Sequence, residues 1–232
     1  MSKLILANWK LNPLTKAEAV ALAGKISRTS AHTVVLCPPT PFLGAIDYPN
    51  LGAQDVFWKV KGPFTGQTSA AQLADLGVKY CIVGHSERRA LGETDQEIHD
   101  KLEALLAHNI TPVLCVGFNT TVDEDDLEVT EVLQGQLEAA LAGLDASKIV
   151  VAYEPVWAIS SGNPYATKKM ATPDHAEKIC IFIKNKFGVR QALYGGSVTS
   201  VNAPEFLSQP NVGGLLVGGA SLLPDDFNKI IA

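Results

Sequence analysis

The chain has 232 residues, which suits one domain or a tight pair, and a single α/β barrel also runs to roughly 200–250 residues. Its 19 Lys plus Arg against 24 Asp plus Glu give a net charge of -5, and without a basic stripe to neutralise phosphates this argues against a nucleic-acid binder. Hydrophobic residues at 47% and charged residues at 19% exclude the disordered class, leaving a packed globular protein.

Taken in chain order, short apolar, β-branched runs alternate with amphipathic stretches. Leu4-Ala7 is the first candidate strand, and a helix is predicted from Thr15 to Arg28. Thr33-Cys37 and Leu51-Gln54 follow as strands, separated by a short helical piece near 41–47, and another short piece near 68–76 leads to the strand Tyr80-Val83. Thr94-Asp95-Gln96-Glu97 reads as a capping box, in which hydroxyl and carboxylate satisfy helix N-terminal amides, so a helix should run from about Asp95 to His108. Pro112-Val116 is followed by a predicted helix from Asp123 to Leu141, and Ile149-Tyr153 by one from Pro173 to Phe187, with Pro in its first turn and Gly188 at its end. Gln191-Tyr194 and Gly214-Val217 complete the strands, with helical pieces near 202–208 and 224–231.

Most of these runs are apolar throughout, as a strand covered on both faces requires, which points to a parallel sheet. Eight such units leave a closed barrel or a doubly wound open sheet. An open sheet binding a dinucleotide would usually carry a glycine-rich turn after its first strand, whereas here that strand ends Ala7-Asn8-Trp9-Lys10. The expected fold class is therefore α/β: one (β/α)8 barrel with a closed parallel eight-stranded sheet, residues 1–232 forming one domain. Cys37, Cys81, Cys115 and Cys180 form no CxxC pair and read as reduced core thiols. Residues 1–30 show no leader pattern, and no window approaches the roughly 18 apolar residues of a membrane span, so a soluble cytoplasmic protein is expected.

In a parallel barrel the strand C-terminal ends converge on one face. Here they carry Asn8 and Lys10, then Gly84-His85-Ser86-Glu87, then Glu154-Pro155, then Gly195-Gly196-Ser197, then Gly218-Gly219. Each has an ordinary reading beside the functional one. A lysine after a strand is commonly a rim charge, a histidine there a structural one, and a glycine pair a tight turn. Glu154 lies among apolar neighbours that would raise its pKa, as a base or as one half of a structural ion pair. Glycine pairs on the last two strands, each before a short helical piece, are where barrels commonly hold a phosphate, so a phosphorylated substrate is expected.

Asn8-Trp9-Lys10, Gly84-His85-Ser86-Glu87-Arg88-Arg89, Gly92-Glu93-Thr94, Ala152-Tyr153-Glu154-Pro155-Val156-Trp157-Ala158-Ile159, Tyr194-Gly195-Gly196-Ser197 and Leu216-Val217-Gly218-Gly219-Ala220-Ser221 resemble the triosephosphate isomerases, in that family's order and over essentially the whole chain. The resemblance implies interconversion of dihydroxyacetone phosphate and D-glyceraldehyde 3-phosphate through an enediolate. By it Glu154 is the general base and His85 a neutral electrophile, an assignment that is the family's own. Ser86-Glu87 opens a helical turn whose amides would disfavour imidazolium, which fits. Lys10 would stabilise negative charge, Asn8 donate a hydrogen bond, and Glu87 organise Lys10 and the substrate. The phosphate would be held by amides of Gly162, Ser197, Gly218 and Gly219 under a mobile lid. No metal or organic cofactor and no nucleic-acid or membrane partner is implied, and the loop 62–67 would dock into a second copy to make a homodimer.

The chain also departs from the family. Eleven residues, Ser160 to Met170, lie between Ile159 and Ala171, where the family has a shorter lid tip. Gln67 stands where the family usually has a Glu that pairs with the arginine corresponding to Arg88. Cys115-Val116-Gly117-Phe118 also lacks the family's usual Glu, and the segment after His85 is one residue shorter than usual. Asp123-Glu124-Asp125-Asp126 lacks the glycine of a calcium loop and reads as a helix start. The rival readings are a silent barrel that binds a phosphorylated metabolite and an isomerase of a larger phosphosugar.

Overall fold

The computed structural model describes residues 2–121, 126–158 and 170–232. Eight strands, β1 (Leu4–Asn8), β2 (Thr33–Cys37), β3 (Leu51–Ala53), β4 (Val78–Val83), β5 (Thr111–Val116), β6 (Val150–Tyr153), β7 (Gln191–Tyr194) and β8 (Gly214–Val217), close in sequence order into a barrel. Every pairing is parallel, including β1 with β8 from Leu4↔Gly214 to Ala7↔Val217. Among the described residues the α-helices are α1 (Lys16–Lys25), α2 (Ala70–Asp75), α3 (Ser86–Ala90), α4 (Asp95–Ala107), α5 (Asp126–Leu141), α6 (Pro173–Phe187), α7 (Ala203–Ser208) and α8 (Pro224–Ile230).

Local chemistry accounts for most boundaries. Thr15, Ser69 and Thr94 each close a capping box with the residue three positions on, starting α1, α2 and α4. Thr172 caps α6, Pro173 occupies its first turn, and Gly188 ends it in the left-handed region at φ 63°. The helix expected to Arg28 stops at Lys25, and of the one expected from Asp123 the described part begins at Asp126. The piece near 41–47 is a 3-10 turn, Thr40–Ala45.

Strand alternation sorts the apolar residues into two shells. Leu4, Leu6, Val35, Cys37, Ile82, Val113, Cys115, Val150, Ala152, Leu193 and Leu216 fill the barrel interior. Their neighbours, among them Ile5, Ala7, Leu36, Leu114, Val151 and Tyr153, pack outward against the helices. Both faces are dry, which is why the strands read as unbroken apolar runs. All four cysteines are buried and free. Among the described residues no helix is long and apolar enough to cross a membrane.

The same alternation decides what lies at the mouth. Continuing each inward series by one step, Leu4 and Leu6 lead to Asn8, Val113 and Cys115 to Gly117, Val150 and Ala152 to Glu154, Leu193 to Gly195, and Leu216 to Gly218. Gly117 has to be glycine: its φ is +114°, and a Cβ would stand 2.3 Å from the Glu154 carbonyl oxygen. A Cβ on Gly195 would come within 3.1 Å of Glu154 Cγ. Small residues thus leave the top layer open around one carboxylate.

Candidate active site

A cavity of about 290 Å³ opens at this mouth, and Asn8, Lys10, His85, Glu87, Glu154, Gly195, Gly196, Ser197, Gly218 and Gly219 all stand on its wall. Every residue proposed from the sequence is therefore brought to one place except Gly162, which lies outside the described residues.

Glu154 is 2% exposed and His85 6%. One carboxylate oxygen lies 3.0 Å from His85 Nε2, and the other accepts the amide hydrogen of Ser86 at 3.0 Å. His85 is also the N-cap of α3, its Nδ1 accepting the Glu87 amide hydrogen at 3.2 Å. With the Nδ1 lone pair engaged, the ring carries its proton on Nε2 and donates it to Glu154.

Two sequence expectations need correction here. Apolar neighbours were expected to raise the Glu154 pKa, and burial does push that way. The charge of His85, its hydrogen bond, the Ser86 amide and Lys10 outweigh burial and hold the carboxyl below its ordinary value. The helix start was expected to keep the His85 pKa low, and burial adds to that effect. The charge of Glu154 and the hydrogen bond to it outweigh both and raise it. Each group in isolation follows the sequence argument; the 3.0 Å contact reverses both.

Lys10 leaves β1 in the left-handed region at φ 52°, a conformation that costs a non-glycine residue about 1–2 kcal/mol. Two contacts hold it there: the Lys10 amide donates to Asn8 Oδ1 at 3.1 Å, and Gln54 Nε2 donates to the Lys10 carbonyl at 2.9 Å. Gln54 also donates to the Cys37 carbonyl at 2.8 Å, tying β1 to β2. Gln54 was missed as a supporting residue, and its only signal was a polar side chain directly after the apolar strand β3. Asn8, with its oxygen occupied, keeps its Nδ2 hydrogens to donate. The Lys10 ammonium pairs with Glu87 at 2.6 Å.

The glycine-rich tips are partly committed. Ser197 donates both its amide and its hydroxyl to the Ala158 carbonyl, at 3.0 and 2.6 Å, so its amide is engaged within the protein. Gly196 makes room for the buried Tyr194 ring, since a Cβ would sit 2.2 Å from the Tyr194 hydroxyl oxygen. Gly218 turns with φ -87° and ψ -111° into a 3-10 turn, and its carbonyl accepts both donors of buried Ser221. Arg88 pairs within the chain, with Asp55 at 2.8 Å, and Asp55 also takes Lys101 at 2.6 Å.

The model of the family described as "Triosephosphate isomerase" matches residues 3–232. The chain belongs to the triosephosphate isomerase family. Proteins named triosephosphate isomerase from Rhodopirellula baltica, Acetivibrio thermocellus and Idiomarina loihiensis are 41%, 40% and 41% identical to it, over 98%, 99% and 99% of this chain and 96%, 98% and 96% of their own. The closed eight-stranded parallel barrel fits membership of the triosephosphate isomerase family.

Glu154→Gln preserves shape and hydrogen bonding but removes the charge that raises the His85 pKa, so burial then governs. The His85 pKa, followed by NMR of the ring, should fall below its value in the unaltered chain and below the ordinary imidazole value of about 6.5. An unchanged His85 titration would show that Glu154 does not set it.

Proposed function

We propose that this chain interconverts dihydroxyacetone phosphate and D-glyceraldehyde 3-phosphate, with Glu154 as general base, His85 as electrophile and Lys10 as the fixed positive charge. The observation that carries the assignment of roles is the meeting of these three side chains on one cavity wall.

Glu154 takes a proton from the hydroxyl-bearing carbon next to the carbonyl. The electron pair of that C–H bond becomes the new C=C bond, and the carbonyl π pair moves onto oxygen, giving the enediolate. His85 Nε2–H gives its proton to that oxygen and takes up the proton of the neighbouring hydroxyl; as that C–O becomes the new C=O, the C=C pair takes back the proton held by Glu154 at the former carbonyl carbon, which completes the isomerisation without net oxidation. The Glu154–His85 contact opens as the substrate enters, so each group exchanges its partner for a reacting atom. Lys10 and Asn8 act where negative charge develops, and Glu87 keeps the ammonium of Lys10 in place. Gly218 and Gly219 cradle the phosphate with their backbone. Ser197 joins them when its amide leaves the Ala158 carbonyl, and Gly162 contributes from the lid. The overall charge of -5 repels an anionic substrate at long range, so attraction is local to Lys10. This reading treats residues 1–232 as one cytoplasmic barrel domain acting on a small molecule, without nucleic-acid or membrane partners.

We also propose a homodimer through the loop 62–67. Leu11, Leu14 and Leu91 are 88%, 87% and 82% exposed, and large apolar side chains grouped on one face mark an interaction surface. Leu11, Leu91 and Gln67 line a second cavity, of about 570 Å³, that shares Lys10, His85 and Glu87 with the first. A second copy docked there covers the leucines and closes the side of the site.

In a coupled assay the chain should turn over glyceraldehyde 3-phosphate and leave pentose phosphates unchanged, and Lys10→Ala should lose about 10²–10³-fold in kcat. A barrel that binds the triose phosphate without converting it, or that prefers the pentose, would refute the assignment. For the dimer, Gln67 is neutral and Arg88 is already paired with Asp55. Sedimentation equilibrium should therefore give nearly the same association at low salt and at about 1 M, where the Debye length is about 3 Å. A monomer at all concentrations, or dissociation by salt, would contradict this interface.

A further inference from the structure

Behind β6, in the layer between barrel and helices, four side chains form a continuous polar chain that the proposed reaction does not use. The Tyr153 hydroxyl lies 2.9 Å from His175 Nε2, His175 Nδ1 lies 2.8 Å from Asp126 Oδ1, and Lys178 Nζ donates to Asp126 Oδ2 at 2.6 Å. These residues belong to three elements: Tyr153 ends β6, Asp126 opens the described part of α5, and His175 and Lys178 lie in α6. The His175 amide donates to the Thr172 cap at 3.2 Å, which fixes the first turn of α6. Ring centroids of Tyr153 and Trp157 stand 5.7 and 6.1 Å from that of His175.

The direction of the hydrogen bonds follows from charge. The bonds from Lys178 and then from His175 are the main causes that lower the Asp126 pKa, so Asp126 is a carboxylate and only accepts. His175 Nδ1 therefore donates, leaving the Nε2 lone pair to accept the Tyr153 hydroxyl hydrogen. Tyr153 is 0% exposed, and in that dry layer the bond to His175 fixes where its hydroxyl points. The ring is thereby held in one position. The next residue is Glu154, whose amide donates to Val116 at 2.8 Å, while the Tyr153 carbonyl accepts the Gly195 amide at 2.8 Å. The outward side chain of Tyr153 and the inward side chain of Glu154 share one peptide, so anchoring the first orients the second.

We infer that His175 is a positioning residue for Glu154, acting through Tyr153 and itself oriented by Asp126. The inference rests on Glu154 being the base.

The test is steady-state kinetics of the full chain, with substrate deuterated at the carbon that loses its proton. His175→Ala should lower kcat about tenfold with KM within about twofold, since misplacing a reacting group by a fraction of an ångström falls on the chemical step. The deuterium isotope effect on kcat should rise. His175→Gln, whose amide can accept from Tyr153 and donate to Asp126, should restore most of the rate. Tyr153→Phe should resemble His175→Ala, and the double variant should be no slower than either, because both remove one contact. If His175→Ala does not fold, Asp126→Asn, a change at a half-exposed side chain, should show the same kcat loss in milder form. An unchanged kcat with only a lowered melting temperature, or equal losses for His175→Ala and His175→Gln, would overturn the inference. If instead Glu154 itself proved dispensable for turnover, the reading of the base would fail, a different result from a chain whose rate depends on Glu154 but not on His175.

Discussion

A single contact across the barrel mouth, between the Glu154 carboxylate and His85 Nε2 at 3.0 Å, organises the site. Alone, each group would be driven toward its uncharged form by burial. Together they offset that penalty, and the amides of Ser86 and Glu87 hold the outer oxygen and nitrogen of the pair. The pair exists because β4 and β6 flank β5, and because the residue that follows β5, Gly117, has no side chain. A Cβ at Gly117 would meet the backbone of Glu154 at 2.3 Å. The sheet therefore sets the backbones of Glu154 and His85 close together, and the two side chains close the contact.

The cavity itself follows from the two-residue period of a strand. An inward series that fills the barrel with Leu, Val, Cys and Ala ends, one step higher, in Asn8, Gly117, Glu154, Gly195 and Gly218. The closed core below supplies rigidity, and the glycines above supply room. Lys10 adds charge at the rim from a backbone held in the left-handed region by Asn8 and Gln54. Two such hydrogen bonds, each worth about 0.5–1.5 kcal/mol net, are enough to offset its conformational cost.

The barrel was legible in the sequence because both faces of each strand are buried, which writes the strands as apolar runs, and because Thr15, Ser69, Thr94, Thr172 and Gly188 mark helix ends by local chemistry. Which residues face the mouth was legible for the same reason: strand ends in a parallel barrel share one pole. What depended on three-dimensional neighbours was not. The pKa directions of Glu154 and His85 reverse because each meets the other, 69 positions apart in number. The tie from Gln54 to Lys10, the turn of Arg88 toward Asp55, and the bond from Ser197 to Ala158 likewise join distant segments through single polar atoms.

Shortening one side chain asks most directly whether Glu154 is the base. Glu154→Asp keeps the charge and withdraws the carboxylate by one methylene. Turnover of glyceraldehyde 3-phosphate by this variant should fall at least about 100-fold in kcat with KM little changed, the cost of misplacing a reacting group by about 1 Å. A variant that folds normally and keeps the turnover of the unaltered chain would contradict the account.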